Sequence, residues 1–263
     1  MNEATITGLR FPFDWLNRCG WRVAGRGSFD YPCPYPYPYP MSQFLLTIIA
    51  LLCFTPVVFA ETLAPQKILF VGNSLTSHGP KADIDWHGNW GMAATSLDKD
   101  YVHVVTKALA TKHGLTPTIM VKNVADFERN HVGYDIAGKF AEAAAFKADL
   151  VILCIGENVP ALKTPEAQAK YQEQVTALLK TLKANPKAQV IVRSSFWPNA
   201  AKDGTMRKAC EAVGGTFVDI SALAKDEQNY ARSERPYKHA GVANHPGDRG
   251  MAAIAEAIVK AVK

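Results

Sequence analysis

The chain reads as an α/β protein built around a doubly wound parallel sheet, and three observations lead there. Short apolar runs alternate with amphipathic stretches from residue 66 to the end. The apolar runs are rich in Val, Ile and Leu without strict alternation, as strands covered by helices on both faces are. Turn signals, "KHGLTP", "KANPKAQ" and "AVGGT", fall between them. This order builds a layered sandwich whose ligands collect beyond the carboxyl ends of the strands.

Taken in order, the predicted strands are Lys67–Gly72, Thr118–Asn123, Leu150–Ile155, Gln189–Ser194 and Thr216–Ile220. The predicted helices are Asp98–His113, Asp135–Phe146, Pro165–Ala184, Thr205–Val213 and Asp248–Val262. No internal repeat and no second domain is visible.

The first 60 residues differ from the rest. Residues 1–33 show no sustained period, and "PCPYPYPYP" (32–40) favours extended polyproline-like backbone with no apolar face to bury. Phe44 to Phe59 is almost uninterrupted apolar sequence, followed by Ala60 and Glu61. A short apolar core ending in small residues is what a secretory signal peptide needs, and it is short for a membrane span of roughly 20 residues. The expectation is a signal peptide over 41–60 opening at Met41, with 1–40 an upstream extension; the alternative is an uncleaved N-terminal anchor. Residues 61–263 would then be the secreted or periplasmic domain, with no stable membrane span after cleavage.

That domain is long enough for one substantial core. The whole chain carries 29 Lys and Arg against 24 Asp and Glu. Removing 1–60 takes away Arg10, Arg18, Arg22 and Arg26 with Glu3, Asp14 and Asp30, leaving a balance of about +4 with no basic run. Nothing there argues for nucleic acid. Cys154 lies inside an apolar run and is expected as a buried free thiol. No CxxC or HExxH spacing occurs, so no metal is indicated.

The residues just after the strands matter most. Ser74 follows the first in "FVGNSLT", Asn158 the third in "CIGENV", and His245 stands at the mouth of the last helix in "NHPGDRGM". Alone, Ser74 is either a nucleophile or the polar residue of a turn. With Asn158 and His245 on the same rim it fits acyl transfer, which needs a nucleophile, a base and donors for the oxyanion. The elbow G-x-S-x-G is half present: Gly72 matches, but Thr76 takes the place of the last glycine.

These three blocks resemble blocks I, III and V of the SGNH/GDSL hydrolases, in order and spacing, over essentially all of 66–263. The resemblance implies a flavodoxin-like three-layer sandwich with a five-stranded parallel sheet and an esterase that needs no cofactor. It implies Ser74 as nucleophile, His245 as base then acid, and Asn158 with the Ser74 N–H as oxyanion donors. Departures accompany it. The family's triad Asp lies three residues before its His, where this chain has Val242. Either a backbone carbonyl orients His245, leaving a dyad, or a carboxylate arrives from elsewhere, with Asp248 and Glu157 the candidates by motif. Asn244 adjoins the His but cannot supply charge. Block II has no clean match after the second strand, and Gly91 is the candidate third donor.

Substrate contacts are expected from Asn73 and from Trp86 and Trp90, which would suit the apolar face of a sugar; the two Trp could equally close the core beneath a long loop. "DFERN" (126–130) either lines the rim or solvates a loop. The leading reading is an exported serine esterase acting on a small-molecule or polysaccharide ester, most plausibly a carbohydrate acetate. The rivals are an O-acetyltransferase on the same residues and a non-catalytic carbohydrate-binding protein.

Overall fold

Five strands pair in parallel to form one sheet: β1 (Lys67–Gly72), β2 (Thr118–Asn123), β3 (Leu150–Cys154), β4 (Gln189–Arg193) and β5 (Thr216–Val218). Their spatial order is β2-β1-β3-β4-β5. The computed structural model describes residues 64–263 and, apart from them, a two-stranded antiparallel pair, Ala4–Ile6 with Leu9–Phe11. Residues 61–263 form a unit of their own. The expected signal peptide over 41–60 lies outside the described residues.

Period-two alternation inside the strands divides the core. Ile68 and Phe70 of β1 and Ile152 of β3 face α1 (Tyr101–His113) and α8 (Asp248–Ala261), meeting Tyr101, Val105, Leu109, Met251 and Ile254. Leu69, Val71, Val151 and Leu153 face the other way, onto Phe127, Phe140, Tyr171, Val175 and Leu179. That second layer comprises α2 (Ala125–Asn130), α3 (Ile136–Lys139), α4 (Ala141–Ala145), α5 (Pro165–Leu182) and α6 (Ala200–Glu211). β1 and β3 are buried almost end to end. Both described cysteines, Cys154 and Cys210, are buried and free. No helix of the described residues is long and apolar enough to cross a membrane.

The element boundaries differ from expectation for local reasons. The first helix begins at Tyr101, because buried Asp100 caps it by accepting from the His103 N–H. The stretch expected as one helix over Asp135–Phe146 breaks at Phe140 into α3 and α4. The helix expected from Thr205 starts at Ala200, where the Asn199 side chain accepts from the Lys202 N–H. Two short helices were not expected: α2, and α7 (Ala240–Ala243). Both carry site groups.

Gly72 ends β1 where the chain passes close to β3. A Cβ there would lie 1.9 Å from Thr76 Oγ1 and 2.6 Å from the Cys154 carbonyl oxygen. Gly72→Ala is expected to destabilise the protein by about 1–3 kcal/mol. Thermal unfolding followed by circular dichroism should show the midpoint falling by roughly 3–10 °C; an unchanged midpoint would contradict this packing.

Candidate active site

After Gly72 the chain turns tightly. The Asn73 carbonyl accepts from the N–H groups of Thr76 and Ser77, and the Asn73 side-chain oxygen accepts from Leu75 N–H. Among the described residues the Ser74 N–H takes part in no such bond, and its carbonyl is held by the Met92 N–H at 2.8 Å. Ser74 is half-buried, so its hydroxyl remains reachable.

Ser74 Oγ lies 2.9 Å from His245 Nε2. On the far side of the ring, Nδ1 lies 2.7 Å from the carbonyl oxygen of Gly241. A carbonyl can only accept, so Nδ1 carries the proton and Nε2 presents a lone pair to the Ser74 hydroxyl. The short helix α7 makes this possible by placing Gly241 one helical turn before His245. The His245 backbone is fixed as well, its N–H bonded to the Val242 carbonyl and its own carbonyl to Ala231 N–H. Val242 points into a small apolar cluster with Trp86, Met92, Ala93 and Ala231. Burial pushes the His245 imidazole below its ordinary value, and the Gly241 bond and the Glu157 charge only partly oppose this.

The candidate acids go elsewhere. Asp248 accepts from Thr95 N–H at 2.8 Å and from its hydroxyl at 2.6 Å, pinning the long loop to the start of α8. Asn244 accepts from Arg232. Glu157 forms an ion pair with Arg193, Oε1 to Nη1 at 2.7 Å, in which the two side chains are 4 % and 0 % exposed. The third-donor expectation for Gly91 is corrected: its N–H goes to Asp100 Oδ2 at 3.1 Å in the buried base of the loop.

Asn158 sits among charges. Its Nδ2 donates to Glu128 Oε2 at 2.8 Å, and its Oδ1 accepts from Arg129 at 3.1 Å. Glu128 is fully buried; its Oε1 also accepts from Gly156 N–H at 2.6 Å, Asn158 N–H at 3.3 Å and Asn73 Nδ2 at 3.2 Å. Only donors face this carboxyl, which is the environment of an ionised group, although burial and then the charge of Glu157 push its protonation upward. Burial opposes the charge of Glu157 too, but Arg193, the Phe196 N–H and Asn73 together hold its carboxyl below the ordinary range. Asn73 Nδ2 also reaches Glu157 Oε2, at 2.6 Å. Asn73 is thus wholly buried and bridges two carboxyls, which leaves it no face for substrate.

The aromatic residues divide differently from expectation. Trp86 is 5 % exposed and bonds its indole N–H to the His78 carbonyl, closing the loop. Trp90 is half-buried, edge-on to Trp86, with its indole N–H on the Ala94 carbonyl. The ring beside His245 is Trp197, edge-on at 5.5 Å between centroids. Its place directly after the fourth strand is the sequence signal that could have singled it out. Glu128 and Arg129 follow the second strand in the same way, within the "DFERN" that could line the rim.

The Glu157–Arg193 pair carries a stability prediction. Among the described residues, Arg193 Nε and Nη2 are buried without partners, so Glu157 is the one carboxylate bonded to this guanidinium. Glu157→Gln should cost about 3–5 kcal/mol, because it strands a buried charge. Chemical denaturation measures this; a loss under about 1 kcal/mol would show the pair to be solvated.

A profile of the GDSL-like lipase/acylhydrolase family matches residues 70–253. Among solved structures, a family 3 carbohydrate esterase from Clostridium thermocellum is 17% identical, with a TM-score of 0.48 over 74% of this chain and 94% of that one. A protein from Parabacteroides merdae described as a GDSL-like lipase is 19% identical, with a TM-score of 0.47 over 74% and 94%. A family two carbohydrate esterase from Cellvibrio japonicus is 17% identical, with a TM-score of 0.45, and the match spans 75% of this chain and 61% of that one. Curated protein sequences gave no match. The matched profile runs from the strand that delivers Ser74 to the helix that follows His245, and the chain belongs to the GDSL-like lipase/acylhydrolase family.

Proposed function

We propose that this family hydrolase is an exported serine esterase that works through an acyl-enzyme and removes an acetyl group from a carbohydrate or cell-wall ester. The observation that carries the reading is the Ser74 Oγ to His245 Nε2 contact at 2.9 Å, with Nδ1 tied to Gly241. His245 Nε2 takes the hydroxyl proton as Ser74 Oγ attacks the ester carbonyl carbon. The carbonyl oxygen becomes an oxyanion, met by the Ser74 N–H and the free Nδ2 hydrogen of Asn158. The tetrahedral intermediate collapses, His245 returns the proton to the leaving alcohol, and the acyl group stays on Ser74. Water, deprotonated by the same nitrogen, then attacks the acyl carbon, and His245 returns that proton to Ser74 Oγ as the acid departs. The half-buried Trp197 and Trp90 offer apolar surface suited to a sugar ring. The apolar run over residues 44–59 supports export.

Hydrolysis of p-nitrophenyl acetate and of acetylated sugars tests the reading. Ser74→Ala and His245→Ala should each lower kcat by at least about 10³-fold. Wild-type enzyme should release a burst of p-nitrophenol stoichiometric with Ser74. Full activity in either variant would refute the assignment.

The pH profile gives a second check. Because burial lowers the His245 value, the base remains unprotonated into mildly acidic solution. Protonation below that lowered value removes the lone pair that Ser74 needs. The acid limb of kcat/KM should therefore reach half its plateau below pH 6.5, the ordinary imidazole value. A midpoint above it would mean that a carboxylate charges the ring.

A further inference from the structure

We propose that Glu128 and Arg129, adjacent on α2, are positioning residues that grip the Asn158 amide at its two ends and leave one Nδ2 hydrogen for the oxyanion. The proposal rests on the esterase reading above.

A side-chain amide rotates about its terminal bond with little intrinsic preference, so nothing in Asn158 itself decides which end faces the substrate. Presented oxygen first, it would repel an oxyanion. Here Glu128, fully buried, takes one Nδ2 hydrogen at 2.8 Å, and Arg129 gives a proton to Oδ1 at 3.1 Å. The two contacts are not interchangeable: a carboxylate cannot bond the oxygen, and a guanidinium cannot bond the nitrogen. Together they select one orientation of the amide. They also polarise it, since the guanidinium draws electron density toward Oδ1 and leaves the remaining N–H a stronger donor. Glu128 is itself immobile, because Oε1 accepts from the Gly156 and Asn158 N–H groups and from Asn73. Through Asn73, the residue before the nucleophile, the same carboxylate ties the amide to the turn that carries Ser74.

Glu128→Gln keeps the size of the side chain but sets an amide NH₂ against Asn158 Nδ2, which turns the Asn158 oxygen inward. Arg129→Ala releases the other end. Steady-state hydrolysis of p-nitrophenyl acetate should show kcat lower by about 30-fold in the first and about fivefold in the second, with KM within about threefold. In an Asn158→Ala background neither change should lower kcat by more than about twofold, because the group they position is gone. A purely structural role would instead repeat its loss in that background. Arg129 is exposed, so its cycle decides the matter even where Glu128→Gln lowers the thermal midpoint. Unchanged kcat in Arg129→Ala, a loss confined to KM, or losses that persist without Asn158 would each overturn the proposal. Inert wild-type enzyme, or an active Ser74→Ala variant, would refute the esterase reading instead.

Discussion

One buried amide ties the site together. Asn73 Nδ2 lies between Glu128 Oε1 and Glu157 Oε2, and those carboxyls reach the loops after three other strands. Glu128 comes from the helix after β2 and holds the Gly156 and Asn158 backbone after β3. Glu157, from that same loop, holds Arg193 at the end of β4 and the Phe196 N–H beyond it. A parallel sheet delivers chain ends to one rim but does not fix the loops that leave it. Here a polar network with almost no solvent access does so, and low local polarity strengthens each of its bonds. Two carboxyls so close repel unless cations flank them. Arg193 supplies one, paired with Glu157 at the buried end of the chain, while Arg129 bonds the Asn158 amide oxygen at the exposed end.

His245 is arranged by a different device. A triad acid fixes the tautomer of its histidine and stabilises the imidazolium that forms. The Gly241 carbonyl does the first, and as a neutral acceptor it does the second only in part, without a full charge. Val242, where the acid would stand, packs with Trp86 and Ala231 instead. That packing anchors the segment carrying Gly241, so the apolar residue has a structural use of its own. Among the described residues the half-buried ring of His245 has no carboxylate partner, and Glu157 acts on it only from a distance. The arrangement favours neutral imidazole between turnovers.

Much of this was legible in the sequence, and what escaped has a common cause. Continuous Val/Ile/Leu runs fixed β1 and β2 to the residue, and the rule that chemistry follows strand ends drew attention to Ser74, Asn158 and His245. The helix α2 was missed because six residues give no periodic window, and the choice left open for "DFERN", rim or solvated loop, could not be made from residue type although Glu128 is fully buried. A backbone carbonyl was one of the two expected partners of His245, but its assignment to Gly241 could not be read, since a backbone acceptor leaves no trace in residue type. Asp248 and Glu157 were the nearest candidates by motif, although Val242 holds the acid's own position, and they bond to Thr95 and Arg193, a matter of tertiary placement. Gly91 lay near the nucleophile as expected, but buried Asp100 claims its N–H.

The central claim is that Ser74 is a nucleophile activated by a histidine that a carbonyl alone orients. Covalent labelling tests it most directly. The protein would be treated with a small fluorophosphonate and its mass and peptide map recorded, beside His245→Ala. The account predicts one phosphonyl group per chain, on the peptide containing Ser74, forming rapidly in the wild type and at least about 10³-fold more slowly without the histidine. Labelling of a different serine, or equal rates in the two proteins, would contradict it.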